Sequence, residues 1–345
     1  MRYLITGGAG FIGSHLVDAL VARGDEVLVL DDFSTGRRVN VESLCARGPV
    51  ELVEGSVTDA GLVDALIEKS DLCLHLASAV GVQLVVSYPL ETLRRIVHGS
   101  DVVMSSAARH GKRVLFASTS EVYGKNSDGA LHEDSDRVIG SAFKSRWSYA
   151  IAKSYGEALA YGYHHEHGAE TTVVRLFNTI GPRQQGIYGM VVPRFVRQAL
   201  LGEDVTVYGD GSQSRCFLHV HDAVDALLVL SARDGAIGRA FNIGNPVPIT
   251  ILALAERIIE RTGSDSRISF VPYEEAYDDG FEELGKRRPD TSALEALTGW
   301  RPQRTLEQAL DDVVAYQRAE LAAEGPSPAT GDARASSAPS RAGSA

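Results

Sequence analysis

Apolar residues in the first half of the chain fall in short runs separated by amphipathic stretches. The runs Arg2–Thr6, Glu26–Leu30, Val50–Glu54, Leu72–Leu76, Arg113–Ala117 and Thr172–Leu176 have the length and content of strands. Between them, helical spacing covers Gly61–Lys69, Leu90–His110 and Tyr149–His167. Strand and helix alternating in this way predict an α/β fold, a Rossmann-type doubly wound parallel sheet. After about Asn178 the pattern changes. Gly181, Pro182, Gly186, Gly189 and Pro193 crowd together, and short strands and helices mix without a βαβ repeat. The expected organisation is a parallel α/β domain over 1–178 and a smaller mixed α/β lobe over 179–318. A helix at Val220–Leu230 and a strand at Ala240–Ile243, within the stretch near 215–245, should pack back on the first domain. Residues 324–345 are rich in Gly, Pro, Ser and Ala and cannot bury enough apolar surface to order themselves, which predicts a disordered tail.

The first run leads into Thr6-Gly7-Gly8-Ala9-Gly10-Phe11-Ile12-Gly13, and a helical pattern follows at His15–Leu20. A glycine turn between strand and helix lets backbone approach a pyrophosphate, and the helix N-terminus offers free N–H groups and a positive dipole end. Gly7, Gly10, Phe11, Ile12 and Gly13 are therefore candidate dinucleotide contacts. The second run ends in Asp31-Asp32, about 20 residues past the turn, where an acidic side chain accepts hydrogen bonds from the adenosine ribose and repels a 2′-phosphate. Asp31 thus favours NAD. Arg37 and Arg38 would suit NADP, but they follow the loop Phe33-Ser34-Thr35-Gly36, whereas Asp31 stands at the strand end. The turn after the fourth strand, Leu76-Ala77-Ser78, should face the same cofactor at the carboxyl edge of the sheet.

Strand Val114–Ala117 runs into Ser118-Thr119-Ser120-Glu121-Val122-Tyr123-Gly124, which puts hydroxyls and a carboxylate where such sheets do chemistry. Tyr149 and Lys153 stand four residues apart and share one helix face. A phenol titrates near ~10, and an ammonium beside it would favour the phenolate. The pair can then take a proton from a substrate hydroxyl.

A net charge of −11 excludes a general polyanion binder. Cys45, Cys73 and Cys216 are scattered without metal spacing, as in a protein of a reducing compartment, and no apolar run is long enough to span a bilayer. The expected location is the cytoplasm. His164, His165 and His167 sit near a helix C-terminus, where cationic side chains suit the dipole, so no metal is expected.

The Gly7-Gly10-Gly13 spacing, with Thr119, Tyr149 and Lys153, resembles the extended short-chain dehydrogenase/reductases, the NAD-dependent epimerase/dehydratase family, from Met1 to about Pro302. Within that family Thr-Ser-Glu-Val-Tyr-Gly resembles the UDP-glucuronate decarboxylases (UDP-xylose synthases). The 4,6-dehydratases carry Asp-Glu after the threonine and 4-epimerases small residues, whereas this chain has Ser120-Glu121. The resemblance implies that Thr119 holds the sugar O4, Tyr149 is the base, Lys153 holds the ribose, and Ser120 and Glu121 orient the sugar or handle protonation at C5. It extends the NAD contacts to Asp32, Phe33, Thr35, Gly36, Ser56, Val57, Thr92 and Ser118. It places a UDP-sugar against Asn178, Val191, Arg194, Tyr208, Gln213, Arg215 and Arg287, with Arg287, or Arg288 next to it, reaching the diphosphate or the sugar acid. The implied reaction is NAD-dependent decarboxylation of UDP-glucuronate to UDP-xylose, UDP-4-keto-pentose or both. The rivals are a UDP-sugar 4-epimerase and a non-catalytic NAD-binding module. Relatives pair two long helices into a four-helix bundle, which implies a homodimer. The chain departs from the family at Ile96-Val97-His98, at Ser56-Val57 and in the proline-free loop Ser78–Val82.

Overall fold

The computed structural model describes residues 1–46, 48–78, 89–126, 129–186, 190–276 and 287–324. Its centre is a seven-stranded parallel sheet. In chain order the strands are β1 (Arg2–Thr6), β2 (Glu26–Asp31), β3 (Val50–Glu54), β4 (Leu72–His75), β5 (Arg113–Thr119), β6 (Thr171–Leu176) and β7 (Ala240–Ile243), and in space they run β7-β6-β5-β4-β1-β2-β3. Side chains alternate across each strand, so both faces bury apolar residues. Ile5, Val29, Leu74 and Ala117 pack under α1 (Phe11–Ala22) and α6 (Val220–Ser231). Leu4, Leu28, Cys73 and Val114 pack under α2 (Ala60–Glu68) and α3 (Pro89–His110). Phe116 and Val173 meet α4 (Ser148–His167), which lies along α3.

Two boundaries differ from the sequence pattern in ways that matter. Strand β5 continues past Ala117 to Thr119, so Ser118 and Thr119 are pinned by pairing with Arg175 and Leu176 of β6. Glu324, expected in the tail, closes helix α8 (Leu306–Glu324); residues 325–345 lie outside the described residues, as do Ala79–Val82 and Gly189.

A second apolar cluster joins α5 (Val191–Leu201), the strand Val205–Tyr208, α7 (Ile251–Thr262) and α8 through Phe195, Val207, Ile258 and Leu310. The strand order reverses between β1 and β4, where ligands of open α/β sheets bind. The backbones after these two strands nearly touch there. A Cβ on Gly7, which sits at φ +72°, would lie 2.9 Å from the Ala77 nitrogen.

Candidate active site

A cavity of about 480 Å³ runs along the carboxyl edge of the sheet, from the glycine turn to the second apolar cluster. Its first end is built by β1, β2 and α1. Gly10 starts α1 with no side chain capping the helix N-terminus, so backbone donors and the dipole remain available to an anion. A Cβ on Gly13 would collide with the Gly7 carbonyl at 2.2 Å, so only glycine lets the helix start this close to the turn. Asp31 accepts the N–H groups of Ala9 at 2.9 Å and Phe33 at 2.9 Å, which aims its carboxylate across the turn. Burial raises the Asp31 carboxyl, while these two hydrogen bonds work in the opposite direction. An uncapped helix end beside an oriented carboxylate fits the pyrophosphate and ribose of an adenine dinucleotide.

Gly7, Gly10, Phe11, Ile12, Gly13, Asp31, Asp32, Thr35, Ser56, Val57, Leu76, Ala77, Ser78 and Ser118 all line this cavity. Three other expected cofactor contacts lie off its wall. Thr92 is buried within α3. Phe33 turns its ring under the Arg38 guanidinium, 4.5 Å away. Gly36 makes room for Asp31, since a Cβ there would come within 2.8 Å of the carboxylate.

Midway along the cavity, β5 and α4 bring the reactive groups together. Thr119 ends the strand and its hydroxyl accepts the Glu121 N–H at 3.2 Å, capping the short turn Ser120–Tyr123. Glu121 accepts from Arg146 Nη1 at 2.5 Å, and Arg287 Nη1 lies 3.9 Å from its other oxygen. Burial works to raise the Glu121 carboxyl, but Arg146 and Arg287 override it and hold the group below the usual carboxylate range. Arg287 also donates to the Ser120 hydroxyl at 3.4 Å. Its backbone bridges Arg215, and the adjoining strand Arg288–Pro289 pairs with Ala130–Leu131. Arg287 is therefore placed beside Ser120 and Glu121, while Arg288 is exposed.

Tyr149 and Lys153 share one face of α4, but their geometry corrects the expected electrostatics. Lys153 donates to the Ala117 carbonyl at 2.7 Å, and its ammonium lies 6.0 Å from the Tyr149 ring centroid. Burial lowers the amine to about 7, with Glu157 acting in the opposite direction. The Tyr149 hydroxyl is raised, not lowered. Burial is the main cause and the Glu121 charge adds to it, while hydrogen bonds with Ser78 and Thr119 counter only in part. In this state the field of Glu121 outweighs any help from Lys153.

The far end is lined by Asn178, Val191, Arg194, Tyr208, Gln213 and Arg215. Arg194 lies 4.1 Å from the Tyr208 ring centroid and donates to Thr206 at 2.9 Å, so one face of the tyrosine meets a guanidinium. Gln213 donates to the Tyr208 carbonyl and Asn178 to the Cys216 carbonyl. Among the described residues, no group of His, Cys, Asp and Glu is placed to hold a metal, and no helix is long and apolar enough to cross a membrane.

Arg146 is the main residue that sequence reasoning missed. Its signal was its position three residues before Tyr149, one helical turn from the reactive face. Asn40 and Tyr273, also on the wall, carried no motif.

The chain is 41% identical over 319 residues to the UDP-N-acetyl-alpha-D-glucosaminuronate decarboxylase of Bacillus cytotoxicus, covering 92% of this chain and 98% of that one. It is 39% identical to UDP-glucuronic acid decarboxylase 1 of Xenopus tropicalis, covering 93% of this chain and 73% of the relative. The fold matches the crystal structure of UDP-glucuronic acid 4-epimerase from Bacillus cereus in complex with UDP-glucuronic acid and NAD. The TM-score is 0.83 at 25% identity, covering 93% of this chain and 100% of that one. The family model for NAD-dependent epimerases and dehydratases matches residues 3–244, and the chain belongs to that family.

Proposed function

We propose that the protein is an NAD-dependent decarboxylase of a UDP-linked uronate, with UDP-glucuronate as substrate and UDP-xylose, UDP-4-keto-pentose or both as product. The observation that carries this reading is the cluster around Glu121. Three arginines (Arg146, Arg215 and Arg287) act on one carboxylate beside Tyr149. The excess positive charge, in a buried cleft, suits a substrate that brings its own carboxylate and a diphosphate.

In this reading the glycine turn, the α1 N-terminus and Asp31 hold NAD, with Lys153 and Tyr149 at its reactive end. Bound NAD supplies the hydride acceptor, and later the hydride donor, for the sugar C4. Tyr149 would take the C4 hydroxyl proton as the phenolate, once the positive charges of Lys153 and of bound NAD offset the field of Glu121, and Thr119 holds the same oxygen. The resulting ketone lies β to the carboxylate on C5. When the C5–carboxylate bond breaks, its electron pair moves toward the C4 oxygen, where the Tyr149 and Thr119 hydroxyls stabilise the developing charge. CO2 leaves, and Ser120 and Glu121, positioned by Arg287 and Arg146, handle the proton delivered to C5. Tyr208, Arg194 and Gln213 face the uridine, and Arg215 and Asn178 the diphosphate.

The N-acetylated uronate is a second reading, favoured by the 41% identity to a relative that acts on it and that this chain matches over nearly its whole length. A homodimer through α3 and α4 is supported by Leu90, Ile151, Tyr155 and Tyr161, large apolar side chains that these helices leave exposed. The division into an NAD-binding domain over 1–178, with the segments near 215–245 packing back on it, and a sugar lobe mainly over 179–318 is supported by two separate apolar clusters, the first of which takes in Leu218, Leu227 and Phe241. A cytoplasmic setting is supported by the unpaired thiols Cys45, Cys73 and Cys216.

The test is to incubate the protein with NAD and each UDP-uronate and to weigh the nucleotide-sugar products. Loss of the mass of CO2 supports the proposal, an isobaric epimer sinks it, and no turnover of either sugar points to the non-catalytic module.

A further inference from the structure

Three arginines surround the carboxyl end of β2, and each is already paired with a carboxylate. Arg38 pairs with Glu54 at 2.5 Å. Arg95, from α3, pairs with Glu91 at 3.0 Å and lies 3.4 Å from Asp32. Arg37 pairs with Glu320 of α8 at 2.5 Å, and the same nitrogen reaches the Tyr316 hydroxyl at 3.4 Å. Arg37 is the most informative of the three. Its backbone N–H donates to the Ala9 carbonyl at 3.0 Å, so it is fixed to the glycine turn, and its side chain lines the cavity beside Asp31. Tyr316 and Glu320 stand four residues apart on one face of α8. A helix from the end of the chain thus captures a guanidinium that would otherwise be available at the adenosine end of the cleft.

A 2′-phosphate adds about −1.5 to −2 charge and strong acceptor oxygens, which an arginine fork fits well. Asp31 repels that charge, but repulsion by one buried carboxylate would be offset if Arg37 were available to turn toward the phosphate. We infer that Glu320, assisted by Tyr316, is a cofactor-specificity residue: it occupies Arg37 and so denies the site a ligand for the 2′-phosphate of NADP. The inference rests on the reading of this end of the cleft as the NAD adenosine site. It assigns part of the NAD preference to α8, far in sequence from the glycine turn and Asp31.

The experiment equilibrates the full-length protein with equal concentrations of NAD and NADP, removes free nucleotide, and quantifies what stays bound by mass spectrometry. The wild-type protein should retain NAD in large excess. Glu320→Gln keeps the side-chain shape but removes its charge, and should raise the bound NADP-to-NAD ratio by about tenfold, equivalent to about 1.4 kcal/mol. The double variant Glu320→Gln/Arg37→Ala should return to the wild-type ratio, because the released guanidinium is gone. An unchanged ratio in Glu320→Gln, with NAD still bound, overturns the inference and leaves the NAD site intact. A gain that persists in the double variant also overturns it. Failure of the wild-type protein to retain either nucleotide overturns the reading of the site on which the inference stands.

Discussion

The Arg146 guanidinium donates to the Glu121 carboxylate at 2.5 Å, inside the cleft, from the short 3-10 turn Ser145–Trp147 that leads directly into the helix carrying Tyr149. Both side chains are largely buried, at 7% and 17% exposure, so the pair is shielded from the screening that weakens surface ion pairs. Arg146→Ala should remove one of the three charges that hold Glu121 ionised. A buried charge-assisted hydrogen bond contributes about 1.5–3 kcal/mol. The expected loss in kcat/KM is therefore on the order of 10–100-fold. The acid limb of the pH–rate profile should also move to higher pH, because burial alone raises a carboxyl. A variant with the wild-type profile would remove Arg146 from the site's electrostatics.

Tyr149→Phe deletes the only atom of that side chain able to accept the sugar proton. Turnover should fall by about 10²–10⁴-fold, the usual range for a general base. Cofactor should remain bound, since the glycine turn and Asp31 are untouched. Steady-state rates combined with bound-nucleotide quantification separate the two effects, and wild-type turnover would refute the assignment.

The buried histidines predict acid sensitivity. His75 is fully buried, hydrogen-bonded to Thr6 at 2.7 Å, and burial lowers it to about 3, with Lys153 adding to the effect. Burial likewise lowers His15 to about 4. For a histidine depressed in the folded state, the unfolded chain binds more protons between the two pKa values. Stability is therefore full above the unfolded value near ~6.5 and is lost as pH falls toward the folded one. Between pH ~7 and ~5 each histidine should contribute a loss of about 1–2 kcal/mol. Urea titrations at both pH values should show a shallower pH dependence for His75→Gln than for the wild type. An equal dependence would contradict the assignment.

Beneath the site, Glu157 takes Arg175 Nη2 at 2.8 Å and is also bonded by Arg137 and Ser118, with Glu157 and Arg175 almost wholly buried. Glu157→Gln leaves Arg175 without its counter-charge in a low-dielectric interior. The expected cost is about 3–5 kcal/mol, measured by urea denaturation. A loss under about 1 kcal/mol would mean that Tyr123 and the Glu133 carbonyl, which also bond Arg175, suffice to hold it.

Local patterns made much of this fold legible. β1, β3 and β7 begin and end where their apolar runs do: β1 and β7 are buried nearly throughout and leave a continuous apolar signal, while Val50, Leu52 and Val53 mark the edge strand β3. That Tyr149 and Lys153 share one face of α4 follows from their spacing and helix geometry. What stayed hidden depends on distant segments. Arg287 lies beside Ser120 and Glu121 because a two-residue strand pairing at Ala130–Leu131 draws its segment across the cleft, and no periodicity records that contact. Spacing alone does not give the influence of Lys153 on Tyr149, since residues on one helix face can send their polar atoms to different partners. Lys153 goes to Ala117, while the charge that Tyr149 feels most is Glu121, delivered by a different strand.

The most direct test of the account is the fate of the substrate carboxyl carbon. UDP-glucuronate and its N-acetylated counterpart, each carrying ¹³C in the carboxyl group, are incubated with the protein and NAD, and labelled CO2 is followed together with the nucleotide product. The account predicts that labelled CO2 appears in step with a UDP-pentose or its 4-keto form, and that Tyr149→Phe abolishes both. Turnover that keeps the label in the nucleotide sugar, as in an isobaric 4-epimer, would contradict it.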